Sequence, residues 1–278
     1  MRPLNLPAIL ARAWRQFRDR RGRWFDMAIV PLIWLLALDM MLLPAPAEMA
    51  VMTTGTIERG QAMSLVGSVL LYMLLSLIVW AMFAAAWLRD CLAASPRSGA
   101  VAGLSWSAPE SRVLGGAIRL LLMLLAGFMI SVMVLGSSAL GGGMTPGGAL
   151  SIGVVALFGM APLLARSSLI LPAAALGEDS SLGRSWRLTQ GNALRLLGLL
   201  LVLVVAGYVI TFLAGSLAGG ILRGLFGAPL TIGPRLVLHL AVNLASFAVS
   251  AFVLAALAAC YRQLSGGALG AVDPGRAG

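Results

Sequence analysis

The sequence lacks most of the residues that a soluble enzyme uses. It contains no lysine, one histidine and two cysteines, and only 11% of its 278 residues are charged. Hydrophobic residues make up 60% of the chain, and the mean hydropathy is +0.95. Soluble domains are roughly 45–50% apolar and about 25% charged. Composition therefore excludes an ordinary soluble domain and predicts a membrane protein.

Residue types that bind metals or catalyse reactions are few and scattered. Cys91 and Cys260 end apolar runs with no histidine nearby, so they fit no zinc pattern and are interpreted as packing residues. No nucleophile motif or glycine-rich phosphate loop accompanies the single histidine, His239. Catalysis requires several convergent groups. We therefore expect no catalytic residue, no metal, no cofactor and no enzymatic activity.

Six apolar runs predict six transmembrane helices. A helix rises about 1.5 Å per residue, so about 20 residues cross a hydrocarbon core of about 30 Å. The runs are 27–43, 63–88, 113–136, 150–171, 192–222 and 235–261. The predicted fold class is all-α and polytopic, with a transmembrane domain over 27–263 and a disordered, glycine-rich tail over 264–278.

The arginines predict the orientation of these spans. Seventeen lie in the segments that would share one side with the N-terminus, and three lie on the other side, at Arg59, Arg223 and Arg235. Arginine accumulates in cytoplasmic loops. We expect a multi-pass protein of the bacterial inner membrane with both termini in the cytoplasm. Its expected partners are anionic lipid headgroups at that face, or else another membrane protein, and not nucleic acid.

The N-terminal segment has the pattern of an amphipathic helix. Apolar residues recur on one helical face, at Leu6, Ile9, Leu10, Ala13, Trp14 and Phe17. Arg12, Arg15 and Arg18 lie off that face. This pattern is typical of a helix lying in the membrane interface. We predict such an interfacial helix within residues 1–26.

Polar and small residues inside the spans form regular faces. His239, Asn243, Ser246 and Ser250 share one face of span six, and Gly207, Thr211, Gly215 and Gly219 share one face of span five. Both patterns are typical of helix packing. Asp39 lies near the outer end of span one. It is either a functional group inside the membrane or, as the sequence favours, an acid that reaches the outer water.

The segment 166–198 concentrates charge between two apolar runs. Asp179, Ser180 and Ser181 are good N-terminal caps, and we predict a short cytoplasmic helix over 182–190 that carries Leu182, Trp186 and Thr189 on one face. Gly191 and Asn192 would end it. Arg166 is costly in an apolar segment unless it is paired or reaches the interface. It is expected to pair with Glu178 or Asp179, or to hold a lipid phosphate.

This segment resembles a known signature. The signature begins with Arg166 and an apolar Leu-Ile-Leu-Pro stretch at 169–172, and it continues with an acid at Glu178. Its last part consists of Ser185, Trp186, Arg187, Thr189, Gly191 and Asn192. They resemble the signature loop of the membrane domain of glycerophosphoryl diester phosphodiesterases. The soluble catalytic barrel of that family has no counterpart in these residues. The resemblance therefore implies an integral membrane helical module with a role in membrane or envelope homeostasis, and no phosphodiesterase activity.

Two further questions stay open at this point. The first is whether the chain contains a threefold repeat, since Trp14, Trp106 and Trp186 each precede an odd-numbered span. Each repeat would be an interfacial helix plus a helical hairpin. The alternative is that these tryptophans only reflect the general enrichment of tryptophan at membrane interfaces. The predicted function is a noncatalytic module that binds lipids or a membrane protein. The alternative is a transporter for a small or lipid-like solute that uses the polar faces of spans four to six.

Overall fold

The computed structural model describes residues 3–42, 59–92, 108–139, 160–227 and 230–266, and all regular structure within these ranges is helical. The predicted all-α class is therefore confirmed for the described part of the chain. The helices are α1 (Leu6–Asp19), α2 (Arg21–Leu42), α3 (Arg59–Leu92), α4 (Ala108–Ala139), α5 (Ile170–Leu176), α6 (Leu182–Thr189), α7 (Ala193–Phe226) and α8 (Ile232–Leu264). Residues 160–167 are also helical and lead into α5 through a turn at 168–169.

Within the described residues, four helices are long and apolar enough to cross a membrane. They are α2, the Gly67–Leu92 part of α3, α7 and α8, and they match predicted spans one, two, five and six. Predicted span three lies within α4. Predicted span four falls partly on 150–159, outside the described residues, and its remainder belongs to the shorter apolar helix Met160–Leu176. Most of the predicted tail likewise lies outside the described residues.

The N-terminal helix packs against the bundle. Asn5 caps α1 by accepting a hydrogen bond from the Ala8 amide at 3.2 Å. Ile9 and Ala13, on the face predicted to enter the lipid interface, are buried against the rest of the chain, and Phe17 contacts Phe252 of α8. Trp14, on the same predicted face, is 54% exposed, and the position of α1 in the membrane interface stays a prediction. A break at Arg20 separates α1 from α2, so the predicted 26/27 boundary falls inside α2.

Helix α8 is the centre of the packing. It contacts α1, α2, α3, α5 and α7. The predicted glycine seam of α7 faces it: a Cβ on Gly207 would stand 2.5 Å from Cγ1 of Val249, and one on Gly215 would stand 3.3 Å from Cγ2 of Val242. Small residues thus let the two backbones approach closely, as the spacing predicted.

The largest buried side chains lie where α3, α5 and α8 meet. Phe83 and Phe247 pack edge to face with their ring centroids 4.9 Å apart, and the indole N–H of Trp87 donates to the Ala251 carbonyl at 2.7 Å. The short helix α5 is buried along most of its length. The remaining long helices expose many large apolar side chains, which suits a surface that faces lipid.

A layer of ion pairs joins the starts of α2 and α4 to the end of α3. Arg20 and Arg23, where α2 begins, both contact Asp90 near the end of α3, at 2.7 Å and 3.2 Å. Arg89 contacts Glu110 at the start of α4 at 3.1 Å. These contacts bring together segments that the arginine count places on one side of the membrane.

Candidate functional site

The segment after α5 folds as a capped elbow, and we use this name for residues 177–192. Gly177 has a φ of 77° and ends α5. Ser181 caps α6, accepting a hydrogen bond from the Arg184 amide at 3.3 Å, and Asp179 accepts from the Ser181 amide at 3.0 Å. Gly191, with a φ of 77°, turns the chain into α7. The predicted helix and its stop signal are confirmed within one residue.

Helix α6 turns one polar face toward the bundle. Ser185 and Thr189 are buried, and the Ser185 hydroxyl donates to the carbonyl of Arg166. Leu182 and Trp186 remain 39% exposed. The predicted face that joined Leu182, Trp186 and Thr189 is therefore corrected: Thr189 points inward with Ser185, one helical turn before it, and its hydroxyl donates to the Ser185 carbonyl at 3.0 Å.

Glu178 binds Arg184 and not Arg166. The Arg184 guanidinium contacts Oε2 of Glu178, and the Tyr261 hydroxyl of α8 donates to the same oxygen at 2.8 Å. Desolvation lowers the pKa of Arg184, but the hydrogen bond to Glu178 and the surrounding charges outweigh it, so its pKa is raised overall. The expected Arg166–Glu178 pair is thus corrected, because Glu178 is already satisfied by an arginine six residues later. Asp179, the other expected partner, caps the elbow.

Arg166 lies over the ring of Trp186 instead. Its guanidinium carbon is 5.7 Å from the ring centroid, within the range of cation–π attraction. Both residues line an open cavity of about 300 Å³ together with Arg187 and Gln190. Among the described residues, no carboxylate lies within ion-pair distance of Arg166 or Arg187. We call this cavity the elbow pocket; its two guanidinium groups are available to an anion.

Asn192 has a structural position within the signature. Its side chain is buried, and Oδ1 accepts a hydrogen bond from the Leu4 amide at 2.9 Å. Arg195 donates to the Leu4 carbonyl at 3.3 Å. The elbow therefore holds the start of the chain in place. Nothing in the sequence pattern indicated that Leu4 would be its partner, because 188 residues separate the two.

A second polar cluster lies inside the spans and centres on Asp39. The carboxylate is 2% exposed, and Oδ2 accepts a hydrogen bond from Nδ2 of Asn243 at 2.6 Å. Nδ1 of His239 lies 3.3 Å from the same oxygen, and the Tyr72 hydroxyl also faces Asp39. The expectation that Asp39 reaches outer water is wrong, because α3 and α8 enclose it. We call these four residues the Asp39 cluster.

The rest of the predicted face of span six does not join the Asp39 cluster. Ser246 and Ser250 are partly buried, and within the described ranges neither hydroxyl makes a hydrogen bond.

Sequence reasoning also missed Asp90 and Glu110, the buried acids of the ion-pair layer. The sequence did contain a signal for them, since both acids lie beside arginines at the ends of predicted spans. In the part of the chain that the structure describes, no three His, Cys, Asp or Glu residues are grouped as a metal site.

The chain matches no family model, no curated protein and no solved structure. The resemblance to the glycerophosphoryl diester phosphodiesterase membrane domain thus rests on the quoted signature residues and remains a prediction.

Proposed function

We propose that this chain is a noncatalytic, multi-pass module of the bacterial inner membrane that binds phosphate-bearing lipid headgroups in the elbow pocket. The observation that carries the proposal is the convergence of Arg166 and Arg187, both without a carboxylate partner among the described residues, on one open cavity beside Trp186. A role in membrane or envelope homeostasis agrees with the family resemblance.

The chemistry of the elbow pocket suits a phosphate. A guanidinium group presents a planar fork of N–H donors that matches two phosphate oxygens, and charge-assisted bonds of this kind are about twice as strong as neutral ones. The amide of Gln190 adds both a donor and an acceptor. Trp186 adds an amphipathic ring of the type that is enriched at the headgroup level. By contrast, Arg184 is neutralised by Glu178.

The proposed topology has six spans with both termini in the cytoplasm. The long helices and the sidedness of the arginines support it. Reporter fusions test it directly: a fusion after Arg195 should give a cytoplasmic signal, and one in the short connection between α7 and α8 a periplasmic signal. A periplasmic signal after Arg195 would overturn the six-span arrangement.

The proposed threefold repeat has partial support from element order. Helices α1 and α6 are short and amphipathic, and each precedes two long helices, α2 with α3 and α7 with α8. Trp106, which would begin the middle unit, lies outside the described residues. An experimental structure in which the three hairpins do not superpose would end this part of the proposal.

Lipid binding can be tested with the full-length protein in detergent. Native mass spectrometry would compare the wild-type chain with the double variant Arg166→Gln/Arg187→Gln while phosphatidylglycerol is added. Each charge-assisted bond contributes about 1.5–3 kcal/mol, so we expect binding to weaken by about tenfold or more. The matched control is Arg223→Gln, which removes one exposed positive charge near the opposite end of α7. Binding of phosphatidylglycerol to this control variant should equal that of the wild type.

Two outcomes of this experiment decide between sources of the anion. If added inorganic phosphate displaces the lipid at similar concentrations, the pocket recognises phosphate itself and the lipid is not its specific ligand. If the double variant binds phosphatidylglycerol as well as the wild type does, the elbow pocket is not the headgroup site and the proposal is wrong.

A transporter is the second candidate, because the Asp39 cluster places ionisable groups inside the spans. Broken helices are typical of transporters, and the apolar helix before the elbow is interrupted by a turn at 168–169. Arg166→Ala protein that accumulates normally but abolishes uptake or efflux of a defined solute would favour this candidate. Loss of accumulation alone would assign Arg166 a structural role.

A further inference from the structure

The two arginines of the elbow pocket are held beside each other by contacts between their own segments. The Ser185 hydroxyl of α6 donates to the main-chain carbonyl of Arg166. The indole N–H of Trp186 donates to the Ser167 hydroxyl at 3.4 Å, and the ring of Trp186 lies under the guanidinium of Arg166. Arg187 follows Trp186 directly in α6. These contacts position both arginines before a ligand enters, which lowers the entropy cost of binding.

The surroundings of the elbow pocket carry a surplus of positive charge. The elbow contains two acids, and one of them, Glu178, is bound by Arg184. The other, Asp179, accepts hydrogen bonds from Ser181. Among the residues that the structure describes, these acids therefore leave the two arginines of the pocket without a balancing charge. Three more arginines lie beside the elbow, on α4 and α7: Arg112, Arg119 and Arg195.

The donors of the pocket outnumber the free oxygens of a phosphate diester. One guanidinium fork matches two phosphate oxygens. A diester has only two free oxygens and one negative charge, so Arg166, Arg187 and the amide of Gln190 would have to share them. A phosphate monoester presents three strong acceptor oxygens and carries about −1.5 to −2 charges at pH 7. It therefore matches both the number of donors and the two positive charges of the pocket.

We infer that the elbow pocket selects lipids whose headgroup is a phosphate monoester over lipids whose phosphate is a diester. This inference rests on the proposed headgroup site and names the class of headgroup that the site prefers. The recognised group is a phosphate with three free oxygens, held between the guanidinium groups of Arg166 and Arg187. The pocket is open, so the rest of the lipid extends away from it.

The preference can be measured in the wild-type chain. Full-length protein in detergent would receive phosphatidic acid and phosphatidylglycerol with identical acyl chains, at about pH 7.5, where a phosphate monoester carries most of its second charge. Native mass spectrometry would compare the binding of the two lipids, which differ only in the headgroup. We expect phosphatidic acid to bind about tenfold more tightly, because both arginines then make charge-assisted hydrogen bonds.

Variants of Arg187 show whether the pocket causes the preference. Arg187→Gln should abolish most of it, since the fork of Arg166 alone is satisfied by either headgroup. Arg187→Lys retains the charge without the fork and should keep part of the preference. The matched control is Arg15→Gln, which removes the same charge from an exposed position of α1 outside the pocket. This control should bind the two lipids with the wild-type preference.

Equal binding of the two lipids by the wild-type chain would overturn the selectivity for monoesters. An equal loss of preference in Arg15→Gln and Arg187→Gln would also overturn it, because general surface charge would then be the cause. If Arg166→Gln/Arg187→Gln still weakens the binding of both lipids, the headgroup site stands and only its selectivity is wrong. If that double variant weakens neither, the proposed function is wrong as well.

Inorganic phosphate, added as a competitor, distinguishes the two sources of the recognised group. Displacement of phosphatidic acid only at a large excess of inorganic phosphate would support a lipid as the ligand. Displacement at similar concentrations would support recognition of a phosphate with three free oxygens but would overturn its assignment to a lipid.

Discussion

Trp87 of α3 donates its indole N–H to the main-chain carbonyl of Ala251 in α8, at 2.7 Å, and its side chain is fully buried. A helical carbonyl already accepts a bond from within its helix, so the indole uses the second lone pair. This bond pairs a donor that would otherwise be buried without a partner. It ties together two helices that lie 164 residues apart in the sequence.

Removing this donor should destabilise the fold moderately. Trp87→Phe keeps an aromatic ring but loses the hydrogen bond and part of the buried area, so we expect a loss of about 1–3 kcal/mol in the free energy of unfolding. Thermal unfolding of the full-length protein in detergent measures it. Trp34→Phe is the control, since Trp34 is 58% exposed; equal losses for both variants would contradict the assigned role of Trp87.

Gly207 should tolerate no larger residue. In Gly207→Ala the new methyl group would meet Cγ1 of Val249 at 2.5 Å, and the β-branched valine has little freedom to move. We expect a loss of about 1–3 kcal/mol in the free energy of unfolding. In Gly220→Ala, on the same helix but with open space at the new methyl, stability should be unchanged or gain up to about 1 kcal/mol.

The prediction for Gly207 can be checked by rescue. Val249→Ala removes the methyl group that clashes, so the double variant Gly207→Ala/Val249→Ala should be more stable than Gly207→Ala alone. A second change that offsets the destabilisation caused by the first is expected only for residues in contact. If the two changes simply add, α7 and α8 do not approach each other at this glycine.

Asn192 should control the attachment of the N-terminal segment. Asn192→Leu removes the acceptor for the Leu4 amide, whereas Asn192→Asp retains one. We expect trypsin, added to inside-out vesicles, to cut within α1 several-fold faster in Asn192→Leu, because local opening becomes easier by about 1–2 kcal/mol. Asn192→Asp should be cut at nearly the wild-type rate. Equal cleavage in Asn192→Leu and the wild type would show that other contacts hold α1.

Both native cysteines should resist labelling in the folded state. Cys91 and Cys260 are free and buried, Cys91 at 1% exposure and Cys260 at 0%. A membrane-permeant maleimide should therefore modify neither thiol until the protein is denatured, since reaction requires an accessible thiolate. Gly183→Cys, on the exposed face of α6 with open space around it, is the positive control and should react at once. Rapid modification of Cys260 in the native chain would contradict the packing around α8.

Much of the local structure could be predicted from the sequence. The cap at Ser181, the stop at Gly191 and the glycine seam of α7 depend on residues within a few positions of one another, and such patterns are visible in a single sequence. The pairing of Glu178 with Arg184 is also local, at six residues. It was missed because Arg166 was the more conspicuous charge in an apolar segment.

The helical character of the chain, its apolar runs and the concentration of arginine in particular segments follow from composition and periodicity alone. Which polar groups meet depends on the packing of the helices: Asp39 contacts Asn243, across 204 residues, and Leu4 contacts Asn192. Such contacts depend on the rotation and depth at which helices pack, and these are set by side-chain fit over the whole bundle rather than by any local pattern.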